Sequence, residues 1–404
     1  MRCWENSLVW NASGHLLGAV FGLGVIDIMK KDIYEKFLEL LRFSVGASDE
    51  FEKLTITDED WWGIHGICIQ QTVIGVCFVG ISRLPDELRP PKELLFRWYA
   101  DINELKRLNY IINYRASSAC RRIDKLGYKA CILKGQGNAL MYPEMMQRTP
   151  GDIDLWMVVC GDDGELRIDD DAILAFSRKY LGNTHYCYHH VDGSNMNGTP
   201  VEIHYRPAFM NNLIHNKRLQ QYFKEQTPFQ FSHAEPISEE GRFIIVPTLD
   251  FNITYQMVHL SNHFFNEGLG LRQVIDYYYL LKKSFEAGRK EDTTRLFRHL
   301  GIYRFATAVM WVLHEVLAMP EEWMIVAANE KQGRFLLEEI MQSGNFGKYD
   351  SRVSDKMRDS GLGRNIQRVK RDLRLMRMFP SECMWEPVFR VWHWLWRMNH
   401  RPKS

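Results

Sequence analysis

Residues 151–159 read GDIDLWMVV, and the reading of this stretch decides the fold. Ile153, Leu155, Met157, Val158 and Val159 all suit a strand. Side chains on a strand alternate faces, so Asp152 and Asp154 point the same way. Two like charges on one face repel unless something positive lies between them. A divalent cation fills that role, and a hard cation such as magnesium takes oxygen ligands.

Upstream, residues 129–134 (KACILK) read as a short apolar strand, and GQGNALMYPE (135–144) as a glycine turn and a brief helix. A strand end that runs through LKGQG into a helix offers backbone N–H groups to a phosphate. Downstream come an acidic loop (GDDGELRIDDD, 161–171), a helix (171–182) and two strands, THYCYHHV and PVEIHYRP, joined by the turn-rich DGSNMNGT. On the last strand Glu202 and His204 share one face, and Val201, Ile203 and Tyr205 the other.

Around this block the pattern is helical. Residues 58–84 form an apolar run with Asp58 or Asp60 as its cap, and residues 90–127 one helix opened by proline and ended by Gly127. After residue 248, helices are predicted over 248–265, 271–288, 293–318, 330–344, 364–379 and 386–401, with a loop at 349–363. The predicted fold class is α+β. A small mixed sheet over 129–247 is flanked by helical regions at 29–128 and 248–404.

The chain has 404 residues, 46% of them apolar and 25% charged, with a formal net charge of +1. That composition predicts a soluble globular protein without a global field toward nucleic acid or membrane. Eight scattered cysteines, none in C-x-x-C spacing, read as reduced thiols of a cytoplasmic protein. Residues 15–29 are apolar but too short to span a bilayer, and a signal peptide is not evident. Met29 is the expected start, with residues 1–28 an upstream extension.

Three carboxylates, Asp152, Asp154 and Glu202, on neighbouring strands can hold two divalent ions, magnesium or manganese in its place. Such an ion pair clamps the attacking and leaving oxygens of a phosphoryl or nucleotidyl transfer. In that scheme the aspartates bridge the ions and Glu202 accepts the proton of the acceptor hydroxyl.

The run LKG (133–135), YP (142–143), RTPGDIDLW (148–156), VEIHYRP (201–207) and HLSNHFFNEGLGLRQVIDYYYLL (259–281) resembles the uncharacterised bacterial nucleotidyltransferases of the polymerase-beta-type superfamily. The resemblance covers nearly the whole chain from about residue 30. It implies transfer of a nucleoside monophosphate from an NTP, ATP among them, with magnesium. It matches Gly135 to the superfamily's turn, Asp152 and Asp154 to the metal pair, and Glu202 to the third acid. Two departures stand out: Gly135 is followed by Gln136 where the superfamily usually has serine or glycine, and the gap to the aspartates is longer.

Each residue has a plainer reading beside it. Lys134 neutralises a triphosphate or pairs with the aspartates. Arg148 grips a phosphate or pairs with an acid. His204 orients the acceptor or holds Glu202. Arg272 and Asp276, four apart on a helix, could simply pair, whereas the resemblance puts Arg272 and His263 in the cleft. His189 and His190 with Glu202 and His204 could draw a zinc site instead, giving a metal phosphohydrolase. The basic run Arg364 to Arg377 reads as a solvated face before it reads as an RNA site, and Trp392, Trp394 and Trp396 as core packing before a membrane contact. The partners are an NTP and an acceptor left open among small molecules, sugars, RNA ends and protein hydroxyls. The rival of another class is a non-catalytic nucleotide- or partner-binding protein.

Overall fold

The computed structural model of the chain describes residues 23–49, 51, 56–182, 186–193, 196, 198–289, 293–350, 352 and 361–399. Residues 1–22 of the expected extension, and most of the loop expected at 349–363, lie outside them. In chain order come α1 (Leu23–Ser44), α2 (Asp58–Gln70), α3 (Ile74–Arg83), α4 (Lys92–Asp124) and β1 (Tyr128–Ile132). Next are α5 (Gln136–Ala139), β2 (Ile153–Cys160), β3 (Leu166–Arg167), α6 (Asp170–Leu181), β4 (His190–Asp192), β5 (Val201–His204) and α7 (Leu213–Gln226). The small hairpin of β6 (Ala234–Pro236) and β7 (Phe243–Ile245) precedes the last helices. These are α8 (Leu249–Asn266), α9 (Leu271–Glu286), α10 (Thr294–Leu300), α11 (Tyr303–Leu317), α12 (Glu330–Ser343), α13 (Gly361–Leu375) and α14 (Pro380–Asn399).

The main sheet has the order β1-β2-β5-β4, with β3 also on β2. β5 runs parallel to β2, and the register sets Asp154 opposite Glu202 and Trp156 opposite His204. A parallel pair needs a crossover, and α6 with β4 supplies the intervening chain.

The period of two gives the sheet two distinct faces. Ile153, Leu155, Met157, Val201, Ile203 and Tyr205 join one core with Ile112 and Ala116 of α4 and Ile173 of α6. Trp156 and Val158 join the larger core on the other side, with the C-terminal helices. Trp156 stacks on Phe251 of α8 at 5.2 Å and meets Phe231 at 4.8 Å. Phe251 is wholly buried, which contributes about 3 kcal/mol.

From Phe251 a stripe at four-residue spacing runs along α8 through Tyr255, His259 and His263, with ring centroids 6.0, 5.8 and 4.3 Å apart. Residues four apart on a helix share a face. The stripe is apolar where it meets Trp156 and ends in two histidines.

Several boundaries differ from the sequence reading. The run 58–84 is two helices, because Thr72 has φ +55° and turns the chain between α2 and α3. The cap of α2 is Thr57: it accepts from the Asp60 N–H while the Asp60 carboxylate accepts from the Thr57 N–H. Gly301, left-handed at φ +79°, divides 293–318 into α10 and α11. The β6–β7 hairpin and α7 had no counterpart in the reading. Trp392 and Trp396 of α14 pack edge-on against Tyr188 at 4.9 and 5.7 Å, while Trp394 stays exposed. No helix among the described residues is long and apolar enough to cross a membrane. Cys68, Cys77, Cys120, Cys131 and Cys383 are buried free thiols.

Candidate active site

The site starts at the bend after β1. The Leu133 N–H donates to the Asp154 carbonyl at 3.1 Å, which continues the β1–β2 ladder and delivers Lys134 beside Asp154. Gly135 has φ +59° and ψ −111°, a conformation open to glycine and not to L side chains. A Cβ there would also come within 3.3 Å of the Asp152 carbonyl oxygen. The Gln136 side chain is buried and donates to Asn109 and Asn113 of α4. Gln136 thus anchors the bend to α4.

Asp154 is 1% exposed. Lys134 Nζ lies 3.1 Å and His204 Nε2 2.9 Å from its Oδ1. Its Oδ2 is buried with no hydrogen-bond partner. The same His204 nitrogen lies 3.3 Å from Glu202 Oε2. Burial works against the charged forms of His204, Glu202 and Lys134, and their partners outweigh it. The His204 pKa is raised by its hydrogen bonds to Asp154 and Glu202 against the pull of burial. That of Glu202 is lowered by the His190 charge and the His204 hydrogen bond, again against burial. Lys134 is raised despite burial by Asp154, Asp152 and Glu202.

Asp154, Glu202 and His204 each offer an atom within 4.8 Å of the others. That donor set, with the unpartnered Oδ2 of Asp154, fits one divalent cation. Asp152 is in none of the groups of three such ligands among the described residues. β2 begins at Ile153, and Asp152, just before the strand, lines a neighbouring cleft. Its charge still reaches Lys134 and Glu202.

That narrow cleft is lined by Lys134, Gly135, Asp152, His259, His263 and Arg272. A larger pocket of about 270 Å³ adjoins it and shares Lys134, His259 and His263; Glu202, His204, Asn211, Phe389 and Arg390 also line it. A separate cavity of about 1300 Å³ lies near α9 and the 321–328 segment and is lined by none of Asp152, Asp154 and Glu202.

Arg148 takes the plainer of its two readings. Its Nε and Nη2 each donate to Asp276 at 2.7 Å. Tyr142 Oη and Asn138 Nδ2 add donors at 2.6 and 3.1 Å. That fork is the acid-pairing reading of Arg148, and the residue also lines the narrow cleft. Asp276 therefore does not pair with Arg272. Arg272 donates to the Thr149 carbonyl at 3.2 Å, and its Nε is buried with no partner. Burial, then the nearby Arg148, lower its pKa. Its guanidinium also lies 5.8 Å from the centre of the Phe346 ring.

Sequence reading missed His259. Its Nε2 is 2.9 Å from His263 Nε2, and His263 Nδ1 is 3.0 Å from Glu267 Oε2. The H-x-x-x-H spacing in 259–263 was the available signal. Burial and the Lys134 charge hold the His259 pKa well below the ordinary value.

The model of a family described as uncharacterised nucleotidyltransferases matches residues 57–318. The chain belongs to that family. The matched span runs from the cap of α2 to the end of α11 and takes in both cleft and carboxylates. No curated protein matches the chain. Among solved structures, the crystal structure of an antigenic nucleotidyltransferase-like protein from Paracoccidioides brasiliensis is similar at 15% identity. It covers 54% of this chain and 93% of its own, with a TM-score of 0.30, a likeness too slight to bear on the site.

Proposed function

We propose that this chain transfers a nucleoside monophosphate from an NTP to a hydroxyl acceptor and releases pyrophosphate. The reading is carried by one observation: Asp154 and Glu202 stand opposite in register beside the Gly135 bend, and a buried oxygen of Asp154 lacks a partner. Family membership supports the class of reaction.

In this reading the triphosphate lies in the narrow cleft. Lys134 and Arg272 offset its charge, and the bare backbone of Gly135 lets it approach. The acceptor enters the larger pocket. Its hydroxyl oxygen forms a bond to the α-phosphorus as the bond from phosphorus to the α,β-bridging oxygen breaks, and pyrophosphate leaves with that electron pair. Glu202 accepts the hydroxyl proton. Asp152, Asp154 and Glu202 would hold the divalent cations, magnesium by their oxygen donors, with His204 donating to Asp154 and Glu202. When bound, such an ion neutralises charge on the transferring phosphoryl group. The rest of catalysis is positioning. We also propose the division into helical (29–128), catalytic (129–247) and helical (248–404) regions.

The test incubates purified protein with magnesium, α-labelled NTP and cell extract. Label moves to an acceptor with the native chain and not with Asp154→Asn. Equal labelling by the variant overturns the assignment. NTP binding that ignores magnesium, with no label transferred, would make the chain a nucleotide-binding protein instead.

A further inference from the structure

Three imidazoles meet beside the carboxylates, and the backbone is bent to bring them there. On a regular strand, consecutive side chains face opposite sides. His189 and His190 are consecutive, yet their ring centroids are 4.3 Å apart and His190 Nδ1 is 2.8 Å from His189 Nε2. The chain bends over 188–189, just before β4. The His189 carbonyl accepts from the N–H groups of both Tyr205 and Arg206, at 3.1 Å each, which fixes the bend against the end of β5. His204 stands opposite His190 in the β4–β5 register, with ring centroids 5.3 Å apart.

Nitrogens of His189, His190 and His204 lie within 4.8 Å of one another. His190 and His204 are 1% and 4% exposed. The Nε2 of His204 serves Asp154 and Glu202; its Nδ1 is buried with no hydrogen-bond partner. On the outer side, His190 Nε2 meets Asp192 Oδ1 at 3.1 Å. A carboxylate on the far nitrogen of an imidazole is the usual support of a metal-bound histidine, because it fixes the tautomer and ring orientation.

We propose that His189, His190 and His204 form a second metal site, distinct in donor type from the carboxylates, that takes a borderline transition ion such as zinc. Imidazole suits zinc, copper, iron and nickel, whereas magnesium takes oxygen. In this assignment His190 and His189 bind through the two nitrogens that now face each other, His204 binds through Nδ1, and Asp192 holds His190 from behind. The site opens on the 270 Å³ pocket, which His189, His190 and His204 line. A ligand in that pocket can therefore reach the ion. The inference stands apart from the transfer reading, although His204 belongs to both sites.

The test uses the untagged full chain, stripped with a chelator and titrated with cobalt(II), whose visible bands report imidazole ligation at low coordination number. One equivalent binds, zinc displaces it, and millimolar magnesium does not. His189→Ala and His190→Ala each weaken cobalt at least tenfold, and Asp192→Asn weakens it about tenfold. Asp154→Asn, which removes the carboxylate site, keeps the bands while losing label transfer, so the two readings fail separately. Thermal melts and circular dichroism check that each variant folds. X-ray absorption on the wild-type chain counts imidazoles without any variant: two or more support the site, one or none overturns it. Absence of cobalt bands, or bands kept in His189→Ala and lost in Asp154→Asn, overturns it too.

Discussion

Asp154 and Asp276 are both buried carboxylates facing a cation, and they are treated in opposite ways. Asp276 receives four donors, two from Arg148 and one each from Tyr142 and Asn138, shared between both oxygens. Asp154 receives Lys134 and His204 on one oxygen and nothing on the other. Leaving a buried acceptor unpaired costs about 1–3 kcal/mol, so such an atom calls for a reason. The comparison separates a saturated carboxylate, which locks α9 to the 138–148 segment, from one left short and ready for a ligand.

The sharpest way to break the comparison is Asp276→Asn. It removes the charge and leaves Arg148 buried without an ion partner, at a cost of about 3–5 kcal/mol. A denaturant melt should show it, and an unchanged midpoint would mean the pair is not a lock. The loss also depends on pH. The Asp276 pKa is lowered against burial by Arg148 and Tyr142. Its stabilisation is therefore fully present above the ordinary value of 3.8 and is lost as pH falls through the lower folded value. The native chain should lose stability on acidification more steeply than the variant.

Asp154→Asn should do the reverse. Label transfer falls by about 10²–10³, while the melting midpoint moves much less than for Asp276→Asn. Rapid transfer by a folded variant would remove Asp154 from the chemistry.

The two arginines carry the comparison one step further. Arg272→Ala should weaken NTP binding by about 1.5–3 kcal/mol, the worth of hydrogen bonds to a charged group, and leave stability nearly unchanged. Arg148→Ala should lower stability first. Calorimetry with a non-hydrolysable NTP and a melt of each variant decide, and equal NTP affinity in Arg272→Ala would count against the triphosphate assignment.

The smallest effect is expected at Asp372, a third buried carboxylate without a saturating partner. Burial and the Glu386 charge push its pKa up to about 6. The folded chain therefore prefers the protonated acid, and stability falls as pH rises through that value. Asp372→Asn should raise the melting temperature slightly at pH 7 and leave it unchanged near pH 4.

Much of the site was legible in short stretches. GDIDLW announced a strand with acids at period two, VEIHY announced a partner strand with Glu202 and His204 on one face, and LKGQG announced the bend. The acids' roles separated only in three dimensions. Asp152 and Asp154 are alike in sequence, but the ladder with β5 begins between them and only Asp154 is walled in. The two readings of Arg148 could not be resolved by spacing, because its partner Asp276 lies 128 residues away. Thr72 hid the break between α2 and α3, since a positive φ at a non-glycine residue is uncommon and has no sequence signal.

The sequence alone determined the α+β class, the strand that carries Asp154, the strand that carries Glu202 and the glycine that joins them to a helix. It could do so because periodicity and backbone preference act over a few residues. The tertiary structure decided which carboxylate is saturated and which is left short, that Arg272 rather than Arg148 has a nitrogen to spare, and that two consecutive histidines turn to one side. Those outcomes depend on which distant groups share a low-dielectric interior, and no local pattern encodes that.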